Sequence, residues 1–448
     1  MLKQAYTKCK SSKRCITICL VMLVVGVVGT LLLFRGHAAT PYISINSSSG
    51  SLTNGVSVQS DNNVSGGKYV KFGSTTVSNY VQRSGTTLTL NGSPYKFVGI
   101  NFYNANAIYG ARLKNCGPTM STVSINPVGD LLDQNLTKMN STGTAAQVMR
   151  SWFFESQATN SSGVIDWTPF DNTLAIAKKH GLRIIATLDN QWAGQCVVSG
   201  YKDVTWYQSG YKSTDGDGPL SYRNYVQQVV TRYANDPNIM MWQFMNEAQS
   251  GDVGGSTCSN EAASSAALRA WADDIGGLIK GIDPNHLTSL GTGGMGGGCG
   301  TKGSDYKTVH ASPFVDTCEY HDYNYAKIAL PSPLVADLDY CGKQGLNKPL
   351  FVGETGMVPS IDIGPTGTFQ NRADLISSKM QAQFNYSDGL GGSGVVGEAP
   401  WGWSGHASSI GTAEFSTTTS IPPYNSIDFN GPLDPIVGLM VNQIKLGY

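Results

Sequence analysis

A regular alternation of strand-like and helix-like segments, from residue 97 to near the C-terminus, constrains the fold more than any other feature. Eight mostly apolar runs without strict alternation predict strands that are buried on both faces, as in parallel sheets. Amphipathic stretches separate them, and most end in Gly or Asp-Pro, the usual turns from a helix back to a strand. The eight runs are Phe97–Asn101, Gln147–Trp152, Leu182–Asp189, Ile239–Glu247, Leu287–Thr292, Val315–Tyr323, Pro349–Glu354 and Val395–Trp403.

Eight such units predict an α/β fold of the (β/α)8 TIM barrel type, which we assign to residues 86–448. A hairpin is predicted just before the first strand, because Asn91-Gly92 lies between two alternating runs. An open doubly wound sheet is the alternative fold. No G-x-G-x-x-G motif follows the first strand, and this argues against the alternative.

The N-terminus has the pattern of a membrane-targeting segment. Residues 1–15 hold five basic side chains and precede the uncharged, apolar stretch Ile16–Phe34, which is long enough to span a bilayer. The positive-inside rule makes 1–15 a basic cytoplasmic tail, 16–34 a transmembrane signal anchor and the remainder extracellular. A signal peptide cleaved near Gly36–Ala39 is the alternative, and it would make the protein secreted.

Residues 35–85 are rich in Ser, Gly and Asn. Short alternating pieces such as Lys68–Phe72 predict local strands. The segment is too short for a full sandwich module, so we interpret it as a linker with local β-structure between the membrane and the barrel. A minimal carbohydrate-binding module is the alternative interpretation.

Charge and motif content argue against several partners and chemistries. Lys plus Arg and Asp plus Glu both number 31, so the net charge is zero and nucleic-acid binding, which needs a basic surface, is not expected. The sequence has no C-x-x-C or H-E-x-x-H motif that would predict a zinc site. The segment Gly402–His406 misses the last glycine of the G-x-S-x-G motif of serine hydrolases. We therefore expect no metal and no organic cofactor.

Six cysteines follow the membrane segment, at positions 116, 196, 258, 299, 318 and 341. In an exported chain this even number predicts up to three disulfides. Cys318 and His321 are an odd number of residues apart, so they point to opposite faces of their strand. Cys318 then faces the helix layer, where Cys341 lies on the following helix, and we predict a Cys318–Cys341 disulfide.

Polar side chains follow several predicted strands at their C-terminal ends, where barrel enzymes place their chemistry. Glu247 ends the fourth strand and Glu354 the seventh. Hydrolysis of a glycosidic bond needs a proton donor and a second carboxylate that flank the sugar. The two glutamates can flank a sugar in this way, with Arg150 keeping Glu354 ionised by proximity. The other side chains of this rim are Asn246, His321, Tyr323, Trp192, Trp401 and Trp403.

Taken together, these motifs resemble the retaining (β/α)8 glycoside hydrolases with catalytic glutamates on strands four and seven, most of all family 5 with its endo-β-1,4-mannanase-like and cellulase-like members. The resemblance implies that Glu247 is the acid/base and Glu354 the nucleophile. The supporting residues would be Arg150, Asn246, His321 and Tyr323, with Trp401 or Trp403 as the floor of the sugar site. The matching segments are Leu88–Asn101, Arg150–Trp152, Asp189–Trp192, Trp242–Glu247, His321–Tyr323 and Lys348–Glu354.

The activity implied by this resemblance is retaining hydrolysis inside a β-1,4-linked polysaccharide or oligosaccharide. Trp192 after strand three favours mannan as the substrate, and a β-1,4-glucanase is the alternative. A catalytically silent carbohydrate binder anchored at the cell surface is an alternative of another class. We expect the protein to be a monomer.

Several other side chains have open roles at this stage. Glu398 on the eighth strand competes with Glu354 for the role of nucleophile. Trp206 and Tyr207 are either distal sugar platforms or packed loop residues. We expect Glu155 and Glu319 to be loop or structural acids.

Overall fold

The computed structural model of the chain forms two units, Met1–Thr76 and Val77–Tyr448. In the first unit, β1 (Val56–Ser60) and β2 (Lys68–Phe72) form an antiparallel pair, and β2 is the strand predicted there. The residues that the structure describes are 56–60, 68–72, 79–103, 105–106, 129–141, 146–160, 162–193, 196–197, 199–323, 327–387, 389 and 394–402. The predicted membrane segment 16–34 lies outside these residues. Among the described residues, no helix has the length and apolar character needed to cross a bilayer.

The second unit begins with a small antiparallel sheet of β3 (Gln82–Ser84), β4 (Thr87–Leu90) and β5 (Ser93–Tyr95). The predicted hairpin joins β4 to β5, and its turn residues Asn91 and Gly92 have φ angles of +55° and +77°. Positive φ at both central positions is the geometry for which Asn-Gly is favoured. Leu88 on β4 is fully buried in one apolar cluster with barrel residues such as Phe97 and Met241.

Eight parallel strands form the predicted barrel. The strands are β6 (Phe97–Asn101), β7 (Val148–Trp152), β8 (Arg183–Thr187), β9 (Ile239–Gln243), β10 (Leu287–Ser289), β11 (Cys318–Asp322), β12 (Leu350–Thr355) and β13 (Gly397–Pro400). Their hydrogen-bonded order is β10-β9-β8-β7-β6-β13-β12-β11. A parallel bridge between Ser289 and Thr317 joins β10 to β11 and closes the ring.

Helices connect the strands. Tyr and Val residues spaced for one face predict α5 (Tyr222–Tyr233); they form its buried face, and Ser221 caps its N-terminus by accepting from the Asn224 amide. The sequence also predicts a helix over residues 433–445, which lie outside the described residues. The helices are α1 (Gly129–Ser141), α2 (Glu155–Ala158), α3 (Thr168–Lys179), α4 (Val204–Gln208), α5 (Tyr222–Tyr233), α6 (Glu261–Ile282), α7 (Ser304–His310), α8 (Ser332–Cys341) and α9 (Phe369–Phe384).

The predicted disulfide between Cys318 and Cys341 is present and ties β11 to α8. Six of the eight predicted runs are longer than the strands observed, by one to five residues. The run Leu287–Thr292 ends as a strand at Ser289, since Gly291 adopts a φ of +82° and a Cβ there would lie 1.6 Å from the Met245 carbonyl oxygen. At the eighth strand, regular pairing covers only Gly397–Pro400.

Candidate active site

The C-terminal ends of the strands bring the predicted polar side chains together. Arg150 lies in β7, His321 in β11 and Glu354 in β12, while Asn246 and Glu247 follow β9. The sequence folds this way because all eight strands are parallel, so their carboxyl ends meet at one rim of the barrel.

The two predicted catalytic carboxyl groups face each other across His321. The Nδ1 atom of His321 is 3.0 Å from Glu247 Oε1 and 3.6 Å from Glu354 Oε2. The carboxylate oxygens that these two glutamates present to each other lie within 4.8 Å. Retaining glycosidases hold their carboxyl groups about 5–5.5 Å apart, whereas inverting enzymes keep them about 6.5–9.5 Å apart to admit a water. The spacing here fits the retaining geometry.

Both carboxylate oxygens of Glu354 accept hydrogen bonds from strong donors. Its Oε1 accepts from Arg150 Nη1 at 2.6 Å and its Oε2 from the Tyr323 hydroxyl at 2.7 Å. The Glu354 side chain is only 5% exposed. Charge-assisted bonds of this length stabilise an ionised carboxylate and fix its orientation.

Glu247 is more accessible, with a side chain that is 29% exposed. Its Oε2 accepts from the indole Nε1 of Trp192 at 2.7 Å, and its Oε1 contacts His321. Burial acts to raise the pKa of Glu247, but the bonds from His321 and Trp192 and the charge of Arg150 hold it below its usual value. Its backbone has a φ of +56°, a left-handed conformation that costs a non-glycine residue about 1–3 kcal/mol.

Arg150 is fully buried and organises the floor of the site. Besides Glu354, its guanidinium donates to Gln243 Oε1 at 2.9 Å, to Asn101 Oδ1 at 3.0 Å and to Asn246 Oδ1 at 2.6 Å. Asn246 in turn donates from Nδ2 to Asn190 Oδ1 at 2.9 Å. These bonds orient the Asn246 amide at the wall of the cleft.

His321 is surrounded by carboxylates. Burial acts to lower the pKa of its imidazole, but Glu354, Glu247 and Glu319 outweigh burial and raise the pKa to about 10. Glu319 was expected to be a structural acid, yet its Oε1 lies 3.2 Å from His321 Nε2. The sequence signal for this contact is the spacing of two residues on one strand, which places both side chains on the same face.

A cleft of about 410 Å³ opens over the two carboxylates. Trp401 lines it and stacks on Tyr103 at 4.9 Å between ring centroids, while Trp192 is 37% exposed at another wall. Trp403 lies outside the described residues. The residues lining the cleft are Trp192, Asn246, Glu247, Tyr323, Glu354, Gly356, Asp362 and Trp401.

Three of the open roles are now decided. Glu398 is fully buried away from the cleft, where burial first and the charge of Asp322 second raise its pKa, so it does not compete with Glu354. Trp206 and Tyr207 are buried and pack against Trp271, which makes them loop-packing residues rather than sugar platforms.

The ligand atoms of Glu247, His321 and Glu354 are close enough together to reach a single metal ion. An imidazole binds a metal only through an unprotonated nitrogen. Because its pKa of about 10 keeps His321 protonated at neutral pH, its Nδ1 donates to Glu247 Oε1 and lies 3.6 Å from Glu354 Oε2. The arrangement suits proton transfer between acids better than metal coordination.

A closed (β/α)8 barrel with paired carboxylates at the ends of its fourth and seventh strands provides the two closely spaced carboxyl groups that retaining hydrolysis of a glycoside needs. Residues 220–326, which include Glu247 and His321, match the family model described as GH family 5 beta-mannosidase-like. The predicted resemblance to glycoside hydrolase family 5 is thereby confirmed.

Relatives agree with this match. The chain is 28% identical over 289 residues to a probable mannan endo-1,4-beta-mannosidase C of Aspergillus terreus, covering 58% of this chain and 66% of that protein. It is 26% identical to mannan endo-1,4-beta-mannosidase A of Hypocrea jecorina, over 56% of this chain and 55% of the relative. The matches thus span less than two thirds of the length of these relatives.

Solved structures share the fold. The endo-1,4-beta-D-mannanase from Thermotoga petrophila RKU-1 superposes with a TM-score of 0.56 at 20% identity, over 79% of this chain and 100% of that chain. The endo-1,4-beta-mannanase from Rhizomucor miehei gives a TM-score of 0.53 at 20% identity, over 81% and 98%. At this identity the likeness supports the barrel fold alone.

Proposed function

We propose that the protein is a retaining endo-β-1,4-mannanase, a glycosidase that cleaves inside β-1,4-linked mannan. The observation that carries the proposal is the approach of the Glu247 and Glu354 carboxylates to within 4.8 Å at the bottom of an open cleft. Relatives named as mannan endo-1,4-beta-mannosidases support the choice of mannan. A β-1,4-glucanase remains the second candidate, since the same carboxylate pair serves either sugar.

In the first step, Glu354 attacks the anomeric carbon as the bond to the leaving oxygen breaks, and Glu247 gives its proton to that oxygen. Arg150 and Tyr323 keep the attacking carboxylate ionised and aimed. In the second step, water attacks the glycosyl ester while Glu247 takes the water's proton, which frees Glu354. The net result is hydrolysis with retention at the anomeric carbon.

Two features of Glu247 suit this change of role. The negative charge of Glu354 favours the protonated acid before the first step, and that charge disappears when the ester forms. The donors His321 and Trp192 then favour the carboxylate that serves as base. We propose that Asn246 bonds a sugar 2-hydroxyl and that Trp401 provides the apolar face beneath a sugar ring.

The test is reducing-end release by the purified full-length protein on β-mannan, glucomannan, carboxymethylcellulose and xylan, beside Glu247→Ala and Glu354→Ala. We expect activity on mannan that falls at least about 1,000-fold in both variants, because each step needs both carboxyl groups. Glycan binding without turnover by the folded wild-type protein would reject the hydrolase and favour the carbohydrate binder.

Azide separates the two carboxylate roles. With an activated aryl glycoside, Glu247→Ala should still form the glycosyl ester, and azide should then give a product of retained configuration. Glu354→Ala should instead give the inverted glycosyl azide by direct attack, because azide takes the place of the missing nucleophile. Swapped configurations would exchange the roles of the two glutamates.

We further propose that residues 16–34 anchor the enzyme with its barrel outside the cell. The support is the basic segment 1–15 followed by an uncharged apolar stretch. Protease accessibility of the barrel on intact cells, together with retention in the membrane fraction, tests this. Release of a shortened chain into the medium would favour the cleaved signal peptide.

A further inference from the structure

Glu319 is a fully buried carboxylate with an unusual set of neighbours. Its two oxygens accept from Gln243 Nε2 at 2.7 and 2.6 Å, and Oε2 also accepts from Ser289 Oγ at 2.8 Å. Its Oε1 lies 3.2 Å from His321 Nε2 and 3.9 Å from Arg150 Nε. Glu319 is not among the residues that line the cleft.

The orientation of Gln243 shows which groups around Glu319 are donors. The Gln243 carbonyl oxygen accepts from Arg150 Nε at 2.9 Å and from Thr187 Oγ1 at 2.6 Å. An amide whose oxygen already serves two donors must direct its NH2 group the other way. Glu319 therefore receives hydrogen bonds and has no need to donate one, which is the environment of a carboxylate.

The same reasoning extends to His321. Its Nε2 faces the Glu319 carboxylate, and its Nδ1 faces the carboxylates of Glu247 and Glu354. An imidazole with acceptors on both sides satisfies them only when both nitrogens carry hydrogen. We propose that Glu319 is a positioning residue that keeps His321 doubly protonated and directs its Nδ1–H to the two catalytic carboxylates.

Gly353 packs directly against Glu319 and His321. A Cβ added at Gly353 on β12 would lie 2.1 Å from Glu319 Oε1 and 3.1 Å from His321 Nε2. Only a glycine at this point of β12 allows the glutamate and the histidine to lie side by side beneath the site. The contact is thus built by two neighbouring strands and not by β11 alone.

The charges around His321 explain what this arrangement does for catalysis, on the condition that the proposed hydrolase function is right. The charged groups facing His321 are Glu319, Glu247 and Glu354, with Arg150 behind them. With Glu247 protonated for the first step, the cations Arg150 and His321 balance the anions Glu319 and Glu354. Without Glu319 the imidazole would hold its second proton less tightly, which would weaken the cation that both catalytic carboxyl groups share.

The first test needs no activity. In the full-length protein labelled with 15N-histidine, we expect both ring nitrogens of His321 to carry hydrogen at pH 7 and up to at least about pH 8, with the signal assigned by His321→Gln. Glu319→Gln removes the negative charge that faces Nε2, so His321 should lose its second proton at a lower pH than in the wild type. A neutral His321 in the wild type, or an unchanged His321 in the variant, would overturn the proposal.

The second test uses the pH profile of kcat/KM. In Glu319→Gln, the His321 cation next to both catalytic carboxyl groups is weakened, so both limbs of the profile should move to higher pH by about 0.5–1 unit. Glu319→Asp keeps the charge and should restore the limbs even where kcat stays low. Glu398→Gln removes a buried carboxyl group that faces Asp322 and should leave both limbs in place.

The outcomes separate the two proposals. A wild-type protein without hydrolase activity but with a doubly protonated His321 would reject the function and keep the assignment of Glu319. A Glu319→Gln variant that loses rate equally at every pH, with limbs unmoved, would make Glu319 a purely structural residue. If that variant does not fold, the wild-type His321 spectrum still decides.

Discussion

At the residue scale, Trp192 combines two contacts in one side chain. Its ring edge packs against Tyr201, and its Nε1 donates to Glu247 at 2.7 Å. Trp192→Phe keeps the ring and removes the donor, so the pKa of Glu247 should rise and the alkaline limb of kcat/KM should move up by about 0.5–1 unit. Trp192→Ala should in addition raise KM. An alkaline limb that moves to lower pH in Trp192→Phe would contradict this.

Also at the residue scale, the positions of the proposed catalytic residues could be predicted from sequence because each lies where a strand ends. To predict Glu247 and Glu354, it was enough that each carboxylate ends an apolar run and that the strands are parallel. Glu319 was missed because a strand pattern gives the face of a side chain but not its partner on another strand. Gln243 lies on β9 and Gly353 on β12, and only the register of the barrel brings them to Glu319.

At the scale of elements, the loops after β7 and β8 hold a buried group of acids. Burial first, then Asp215 and its neighbours, raises the pKa of Glu155 at the start of α2 to about 8, although its Oε1 accepts from the Leu220 amide. In the same way, burial raises the pKa of Asp189 to about 7, against the opposing charge of Lys202 at 3.2 Å. The folded state therefore holds protons here that the unfolded chain releases near pH 4.

The stability consequence of Glu155 follows from its raised pKa. The free energy of unfolding should fall as pH rises from about 4.5 through 8, because only the folded state binds this proton there. Glu155→Gln should gain about 1–3 kcal/mol relative to wild type at pH 8.5 and little at pH 4.5, measured by urea denaturation. Glu261→Gln is the control of opposite sign, since its hydrogen bonds outweigh burial and lower the pKa of Glu261. Equal effects of Glu155→Gln at both pH values would contradict this.

Element boundaries show where sequence patterns are weakest. All eight strands were predicted, since apolar runs without strict alternation are typical of strands that are buried on both faces. The helices α1, α2, α4 and α7 were not, because α2, α4 and α7 are short and α1 is rich in polar residues. Apolar periodicity identifies an element by the face it buries, so short or polar helices give little signal.

At the scale of the whole molecule, the one predicted cysteine pairing is confirmed, while two of the six cysteines counted for the predicted disulfides are free thiols. The Cys318–Cys341 disulfide was predicted because Cys318 and His321 point to opposite faces of their strand. Cys196 is also disulfide-bonded. Cys258 and Cys299 are free thiols whose sulfur atoms lie within 4.8 Å of each other, in the loops that follow β9 and β10. The Ser250 amide already donates to the Cys299 carbonyl oxygen at 3.0 Å, so the two loops are joined by hydrogen bonding before any covalent bond forms.

We expect Cys258 and Cys299 to form a disulfide when the chain folds in an oxidising compartment, but not afterwards. Burial raises the pKa of Cys258 to about 12, and its Sγ donates to Glu261 Oε2 at 2.7 Å, so the folded thiol is a poor nucleophile. Non-reducing peptide maps should show the cross-link in protein folded with oxidised glutathione. Protein folded under reduction and oxidised later should lack it.

The cross-link should matter for stability, because it closes a long loop of the unfolded chain. We expect it to contribute about 2–4 kcal/mol to the free energy of unfolding. The double variant Cys258→Ser, Cys299→Ser should lose this increment. Protein that was folded under reduction and oxidised later should have the same free energy of unfolding as that variant. Quantitative alkylation of both thiols after oxidative folding would show instead that the acceptor Glu261 holds Cys258 away from its neighbour throughout folding.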